Sequence, residues 1–288
     1  ELGGLIFAYL GPEPAPLLPR WDILTWTNVT RTIDAVELPC NWLQCMDNSL
    51  DPVHFQWLHR YWGGYNVRRK KPPEEREDFD RMALSRGREH IKVGFDRFEY
   101  GIVKRRLMEG ETEDDQWWRI GHPILFPNIL RVAQDRWHSF QYRIPVDDTH
   151  TKHLLYTVTV PEPGITVDEQ NPVPYAERPL YDEHGRLNNT IIPSQDEAAW
   201  VMQGAITDRT TEHLGVTDIG IIFYRKMIEE NLRIVEDGGD PINVHRDPAT
   251  NDGIMLATEH TYYPGDDFTG GPFRDKPLIP AQVEASMQ

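Results

Sequence analysis

Hydrophobic and polar positions change period along this chain, and the changes mark its elements. Residues 2–11, "LGGLIFAYLG", form a short apolar run followed by the turn-rich "PEPAPLLP", a pattern that predicts a strand and a loop. The stretch 41–62, "NWLQCMDNSLDPVHFQWLHRYW", carries apolar residues at helical spacing, with Pro52 as a break or first-turn residue. From 98 to 160, short β-rich runs such as "RWHSFQYRIPV" and "KHLLYTVTV" alternate with polar turns, as in an antiparallel sheet. A long irregular excursion over 161–189 follows, of a length that often covers a site. The clearest helix runs from Thr217, a candidate N-cap, to Glu236, with Gly238 and Gly239 as its stop. Ile221, Tyr224, Ile228, Leu232 and Val235 form its apolar stripe, placed to lie on a sheet. The segment 70–81 reads as a charged surface loop and the last thirty residues as extended. The expected class is α+β: helices, a curved antiparallel sheet and a long C-terminal helix across it. A β-barrel with helical insertions is the alternative.

Composition narrows the function classes. Among 288 residues the formal net charge is −16, and no basic stripe exists to track a phosphate backbone, so nucleic acid is not an expected partner. No run of about 18 apolar residues is present, so no membrane span is expected. Cys40 and Cys45, the only two cysteines, are too few for a cysteine-only zinc or iron–sulfur site, and read as buried thiols in a reducing cytoplasm. The chain opens on Glu1 in an apolar run, without the basic start of a signal peptide, and reads as part of a longer polypeptide.

The chemistry concentrates in "NSLDPVHFQWLH", residues 48–59. His54 and His59 lie five apart, and on a regular α-helix such positions diverge by about 140°. Shared ligation therefore requires a kink, or a helix end before His59; Gly63 and Gly64 offer such an end. Asp51 lies three residues before His54, close enough to accept the second N–H of its imidazole. Two polar residues on the edge of a core helix are the plain alternative. His150 and His153 in "DDTHTKH" read better as a solvated turn. Two histidines lack a third ligand, and a carboxylate would complete the facial arrangement used by non-haem Fe(II) oxygenases.

Here the chain resembles a known family. "CMDNSLDPVHFQWLH" is similar to the mononuclear-iron motif of the Rieske non-haem iron oxygenases, aromatic ring-hydroxylating α-subunit, catalytic domain. "IIPSQDEAAWVMQG" (191–204) resembles the carboxylate segment, with Asp196 at the matching position, and "ITDRTTEHLGVTDIGIIFYRKMI" (206–228) resembles the phthalate dioxygenase-like branch. The resemblance covers nearly the whole chain. It implies a helix-grip (START/Bet v1-like) fold, Fe(II) held by His54, His59 and Asp196, and catalytic support from Asn48 and Asp51, with Asp51 bridging to a neighbouring subunit's cluster. It further implies a homotrimer, a reductase or ferredoxin as electron donor, and O2 with an aromatic acid as substrates, either hydroxylated on the ring or O-demethylated. A [2Fe–2S] cluster needs C-x-H and C-x2-H, which this chain lacks, so that cofactor is expected only in a domain upstream. The division implied is 1–30 strand and linker, 31–270 catalytic domain and 271–288 tail, with the fragment inactive by itself. Trp57, Phe126, Asn128, Arg131 and His138 are the candidate pocket residues, with Arg60 or Arg131 as a carboxylate clamp; core or sheet packing is the plainer role for each. The alternative function is a helix-grip module that encloses an apolar ligand without redox chemistry.

Overall fold

The computed structural model describes residues 1–70, 72–75 and 88–259. Its helices are α1 (Asp22–Thr25), α2 (Trp42–Leu50), α3 (Gly63–Lys70), α4 (Gln116–Arg119), α5 (Ile192–Val201) and α6 (Ile219–Glu236), with a π-helix, Phe55–Trp62, joining α2 to α3. Its strands are β1 (Thr30–Leu38), β2 (His90–Phe98), β3 (Gly101–Met108), β4 (His122–Leu125), β5 (Ile129–Gln134), β6 (Trp137–Pro145), β7 (Thr151–Thr159) and β8 (Tyr175–Glu177). They form one eight-stranded sheet in the order β2-β3-β4-β5-β6-β7-β1-β8. The β2-to-β7 meander pairs antiparallel, and β1 adds antiparallel to β7. The edge strand β8 pairs parallel to β1, so the sheet is mixed where an antiparallel one was expected. The class is α+β.

Alternation sends successive side chains to opposite faces of the sheet, and each face has its own core. On one face Ile102, Ile124, Phe126 and Leu130 pack with Met46 and Leu50 of α2 and Ile221, Tyr224 and Met227 of α6. Each fully buried aliphatic there contributes about 1.5–3 kcal/mol. Gly220 permits the close seat of α6, because a Cβ at that position would lie 2.3 Å from the Phe95 ring. The other face packs Ile33, Phe140, Tyr156 and Val158 against Trp21, Ile23 and Leu256. A third cluster joins Leu38, Cys40 and Cys45 to Trp200 of α5. The two thiols are free and fully buried, 3.8 Å apart.

Several expectations need correction. Residues 2–11 are not a strand: Gly3 and Gly4 adopt positive φ, Leu2 makes an isolated bridge to Leu5, and Ile6 and Leu10 are exposed. Among the described residues the run pairs with no strand of the sheet. Helix α6 begins after a 3₁₀ turn at Val216–Asp218, so Asp218 and not Thr217 flanks its start. Its stripe also ends early. Leu232 and Val235 are exposed, and Asn231, donating to Met227 O and accepting from Ile242 N, takes the buried position instead. The charged loop over 70–81 and the extended C-terminal stretch lie largely outside the described residues. Among the described residues no helix is long and apolar enough to cross a membrane.

Candidate metal centre

The segment that opens α2 and ends in α3 builds the site. Asn41 caps α2, its side chain accepting from Leu43 N at 3.0 Å. The helix stops at Asp51, whose carboxylate accepts from Val53 N at 2.7 Å and His54 N at 3.1 Å. That carboxylate caps the next helical segment, as a short acidic side chain with free oxygens can. The π-helix then resolves the spacing problem. A helix closed by i→i+5 hydrogen bonds sets residues five apart one turn from each other. His54 and His59 thus share a face, with ring centroids 5.3 Å apart at 80°. Neither a kink nor a helix end is involved, and Gly63 and Gly64 continue the chain into α3.

Asp196 arrives from α5. Its Oδ1 lies 3.3 Å from His59 Nε2 and 3.7 Å from His54 Nε2. One ligand atom from each of His54, His59 and Asp196 lies within 4.8 Å of the others. One of the two outer nitrogens is committed elsewhere. His59 Nδ1–H donates to Gln195 Oε1 at 2.9 Å, which fixes the tautomer with the Nε2 lone pair facing inward. His54 Nδ1 is buried without a hydrogen bond, 3.6 Å from Asp51 Oδ2. A small rotation would complete that bond. Asn48 Nδ2 donates to Asp196 Oδ1 at 3.4 Å. Burial alone would raise the carboxyl of Asp196, but the facing imidazoles of His59 and His54, with Arg143 behind, outweigh it and hold the group below its ordinary range. Burial raises and His54 lowers Asp51, with the net again downward.

Two inward imidazole nitrogens and an ionised carboxylate suit a divalent first-row metal with open positions. The donor chemistry fits ferrous iron.

Gln195 was not a sequence candidate. It precedes Asp196 on α5, and Gly63 makes room for it: a Cβ on Gly63 would lie 3.0 Å from its Nε2 and 3.1 Å from its Oε1. The glycine that reads as a helix stop is a close-approach position. Of the pair expected in a solvated turn, His150 lies there against Asp147, but His153 does not. It is fully buried in β7, donating from Nδ1 to Glu197 Oε1 at 2.8 Å, and Glu197 also accepts from Arg178. That pair ties the residue after Asp196 to the sheet.

The pocket candidates scatter. Trp57 is 61% exposed, tilted against Tyr61, and walls an open cleft of about 490 Å³ with Asp47, Asn48, Asp51, His54 and Gln203. Arg60 lies against the Tyr61 ring. Phe126 is core, packed on Tyr224. Asn128 holds the β5–β6 hairpin, donating to Arg143 O at 3.0 Å. Arg131 and His138 lie on the face opposite the histidine pair. Arg131 sits across from Phe140 of the other core, donates to His138 Nδ1 at 2.8 Å and faces Asp22 at 3.8 Å. Both are fully buried and committed to each other.

Comparison with known proteins agrees with this geometry. Residues 184–256, which include Asp196 and α6, match a family model described as LigXa C-terminal domain like. The chain is 36% identical over 263 residues to the 5,5'-dehydrodivanillate O-demethylase oxygenase subunit of Sphingobium sp. (strain NBRC 103272 / SYK-6), covering 90% of this chain and 57% of that protein. It is 27% identical to the phenoxybenzoate dioxygenase subunit alpha of Ectopseudomonas oleovorans, covering 93% of this chain and 64% of that protein. It is 24% identical to the phthalate 4,5-dioxygenase oxygenase subunit of Pseudomonas putida, covering 84% and 60%. The chain spans about three-fifths of the length of these curated relatives. With the motif residues gathered at one point, the chain is similar along nearly its whole length to oxygenase subunits that act on aromatic compounds by name.

Proposed function

We propose that this chain is the iron-bearing catalytic part of an oxygenase that inserts O2-derived oxygen into an aromatic acid, by ring hydroxylation or O-demethylation. The observation that carries the proposal is the convergence of His54 Nε2, His59 Nε2 and Asp196 Oδ1. These three residues would hold Fe(II). Bound there, the metal supplies open coordination positions and the redox chemistry of O2 activation.

The chain's own residues do the rest. Gln195 keeps His59 in the tautomer that presents Nε2. Asn48 donates to Asp196 and so orients its carboxylate. Asp51, which lines the cleft, faces His54 Nδ1 and can accept its N–H once the ring turns. The same cleft, with Asp47, Asn48, Asp51 and the exposed Trp57 on its walls, is the natural docking face for an electron-donating partner. Such a partner would be a second copy in a homotrimer carrying a [2Fe–2S] cluster, or a reductase or ferredoxin. The names of the relatives support an aromatic acid as substrate.

A test needs no electron partner. The iron-loaded chain is given 3-methoxybenzoate and hydrogen peroxide, which brings both the oxygen and the reducing equivalents. Formaldehyde or a hydroxylated acid is expected from the parent and neither from His59→Ala. Equal product from parent and variant, or none from an iron-loaded parent that binds the acid, would overturn the proposal.

A further inference from the structure

Behind Asp196, where α2 packs on β6, a buried cation has no counter-ion at bonding distance. Arg143 of β6 is fully buried. Its guanidinium donates to Gln141 O at 2.8 Å and to Gln141 Oε1 at 3.0 Å, both neutral acceptors, and its Nε has no partner. Among the described residues no carboxylate forms an ion pair with it. Burial lowers its pKa to about 10, and the group stays charged at neutral pH. An uncompensated buried charge is costly, so its balance must lie close by.

The balance lies on α5. The guanidinium is 5.3 Å from the centroid of the Trp200 ring, and Trp200 stands one helical turn after Asp196. The cross-strand neighbour of Arg143 on β7 is His153. The His153 ring packs edge-on against the same indole at 5.1 Å and donates to Glu197 Oε1 at 2.8 Å. Arg178 Nη1 donates to Glu197 Oε2 at 3.2 Å. Two carboxylates of α5, Asp196 and Glu197, thus stand among two guanidinium groups, Arg143 and Arg178, and burial keeps His153 neutral beside them. Glu197 is bound directly by its partners. Asp196 meets Arg143 only through space: against burial, which would raise it, the imidazoles of His59 and His54 and the charge of Arg143 hold it ionised. The group is neutral as it stands.

A metal ion changes that balance. Ferrous iron at the histidines adds two positive charges and ferric iron three, close to a cation shielded from water. Repulsion scales with the product of the charges, so Arg143 opposes the ferric ion by one unit more than the ferrous ion. Between buried charges that difference is weakly screened.

We propose that Arg143 sets the redox poise of the centre, its charge holding the iron ferrous and making the ferric ion a stronger electron acceptor. The step is Fe(III) plus one electron to Fe(II), with the electron supplied by the donor partner and no ligand gained or lost. No hydrogen bond or ion pair joins Arg143 to the three ligands, so it is a positioning residue, acting by charge. The inference rests on the reading of the centre as an iron site.

The test holds the iron-loaded chain, without oxygen, in a redox buffer of one-electron mediator dyes. The ferric fraction is read by electron paramagnetic resonance, and Fe(II) affinity by chelator competition. Arg143→Gln removes the charge and keeps an amide donor toward Gln141. At the potential where the parent is half ferric, the ferric-to-ferrous ratio of this variant is expected to rise at least about threefold. Its Fe(II) affinity is expected to rise about tenfold, because two units of repulsion are relieved in place of one. Arg143→Lys, which keeps the charge and loses the fork, is expected to stay within about twofold of the parent on both. A purely structural role predicts the opposite sign, weaker iron binding in both variants. An unchanged or lowered ferric ratio in a folded, iron-loaded Arg143→Gln, or an Arg143→Lys shifted as far as Arg143→Gln, overturns the proposal. Should Arg143→Gln not fold, Arg143→Met, which keeps an unbranched stem beside Trp200, decides by the same ratio. A parent that takes up no iron refutes the functional reading instead, so the two failures are distinct.

Discussion

Gly63→Ala sets two effects of opposite sign against each other. Gly63 has helical backbone angles, φ −59° and ψ −44°, between the π-helix and α3. Replacing a helical glycine by alanine gains about 0.5–1 kcal/mol, because the glycine loses more backbone entropy on folding. The new Cβ, however, would lie 3.0–3.1 Å from the amide of Gln195. A terminal amide can give way by a few tenths of an ångström, so the steric cost falls on its bond to His59 Nδ1, now 2.9 Å, and spares the backbone. A neutral hydrogen bond is worth about 0.5–1.5 kcal/mol, so full loss would weaken metal binding by about two- to twelvefold. The expected result is a metal-free protein at least as stable as the parent, by calorimetry, with Fe(II) affinity several-fold lower in chelator competition. A more stable variant with undiminished iron affinity would refute the claim that Gly63 is kept small for Gln195.

Other outcomes follow from burial and charge. Leu50 is fully buried where α2 meets the sheet, so Leu50→Ala should cost about 2–5 kcal/mol in urea unfolding; a loss under about 1 would show that the site collapses freely. Trp57 is largely exposed, so Trp57→Ala should change stability by less than about 0.5 kcal/mol, by the same assay. Burial depresses the folded-state pKa of His90, from 6.5 to about 4, and lowers His122 and His153 as well. Depressed values favour the neutral ring in the folded state, so their stabilising contribution is complete above pH 6.5 and is lost as pH falls toward 4. The melting midpoint of the metal-free chain should fall across that window, and His90→Asn should flatten part of the fall; an identical profile would contradict the assignment.

Period and turn chemistry disclosed the meander from β3 to β7 and helix α6, where each strand or stripe packs one face against a core. Strand β1 went unread because its buried positions, such as Ala35 and Val36, alternate poorly with Asp34 and Glu37. The histidine pair was legible as chemistry, and its five-residue spacing was itself the signal of the π-helix, which local propensity does not encode. Asp196 was placed through resemblance; Gln195 and His153 matter only through partners more than a hundred or some forty residues away, which no local pattern shows. Arg131 and His138 were misplaced because alternation tells which residues share a face but not which face the iron segment covers. Lys104 and Arg106, in "VKRRL", look like ordinary exposed strand charges until α2 and the π-helix cover them.

The most direct test is anaerobic Fe(II) titration of the chain, followed by X-ray absorption at the iron edge. The account predicts one iron per chain with two imidazole nitrogens and a carboxylate oxygen among its ligands, and loss of that iron in His54→Ala, His59→Ala and Asp196→Ala alike. An iron bound without histidine, or undiminished uptake by all three variants, would contradict it.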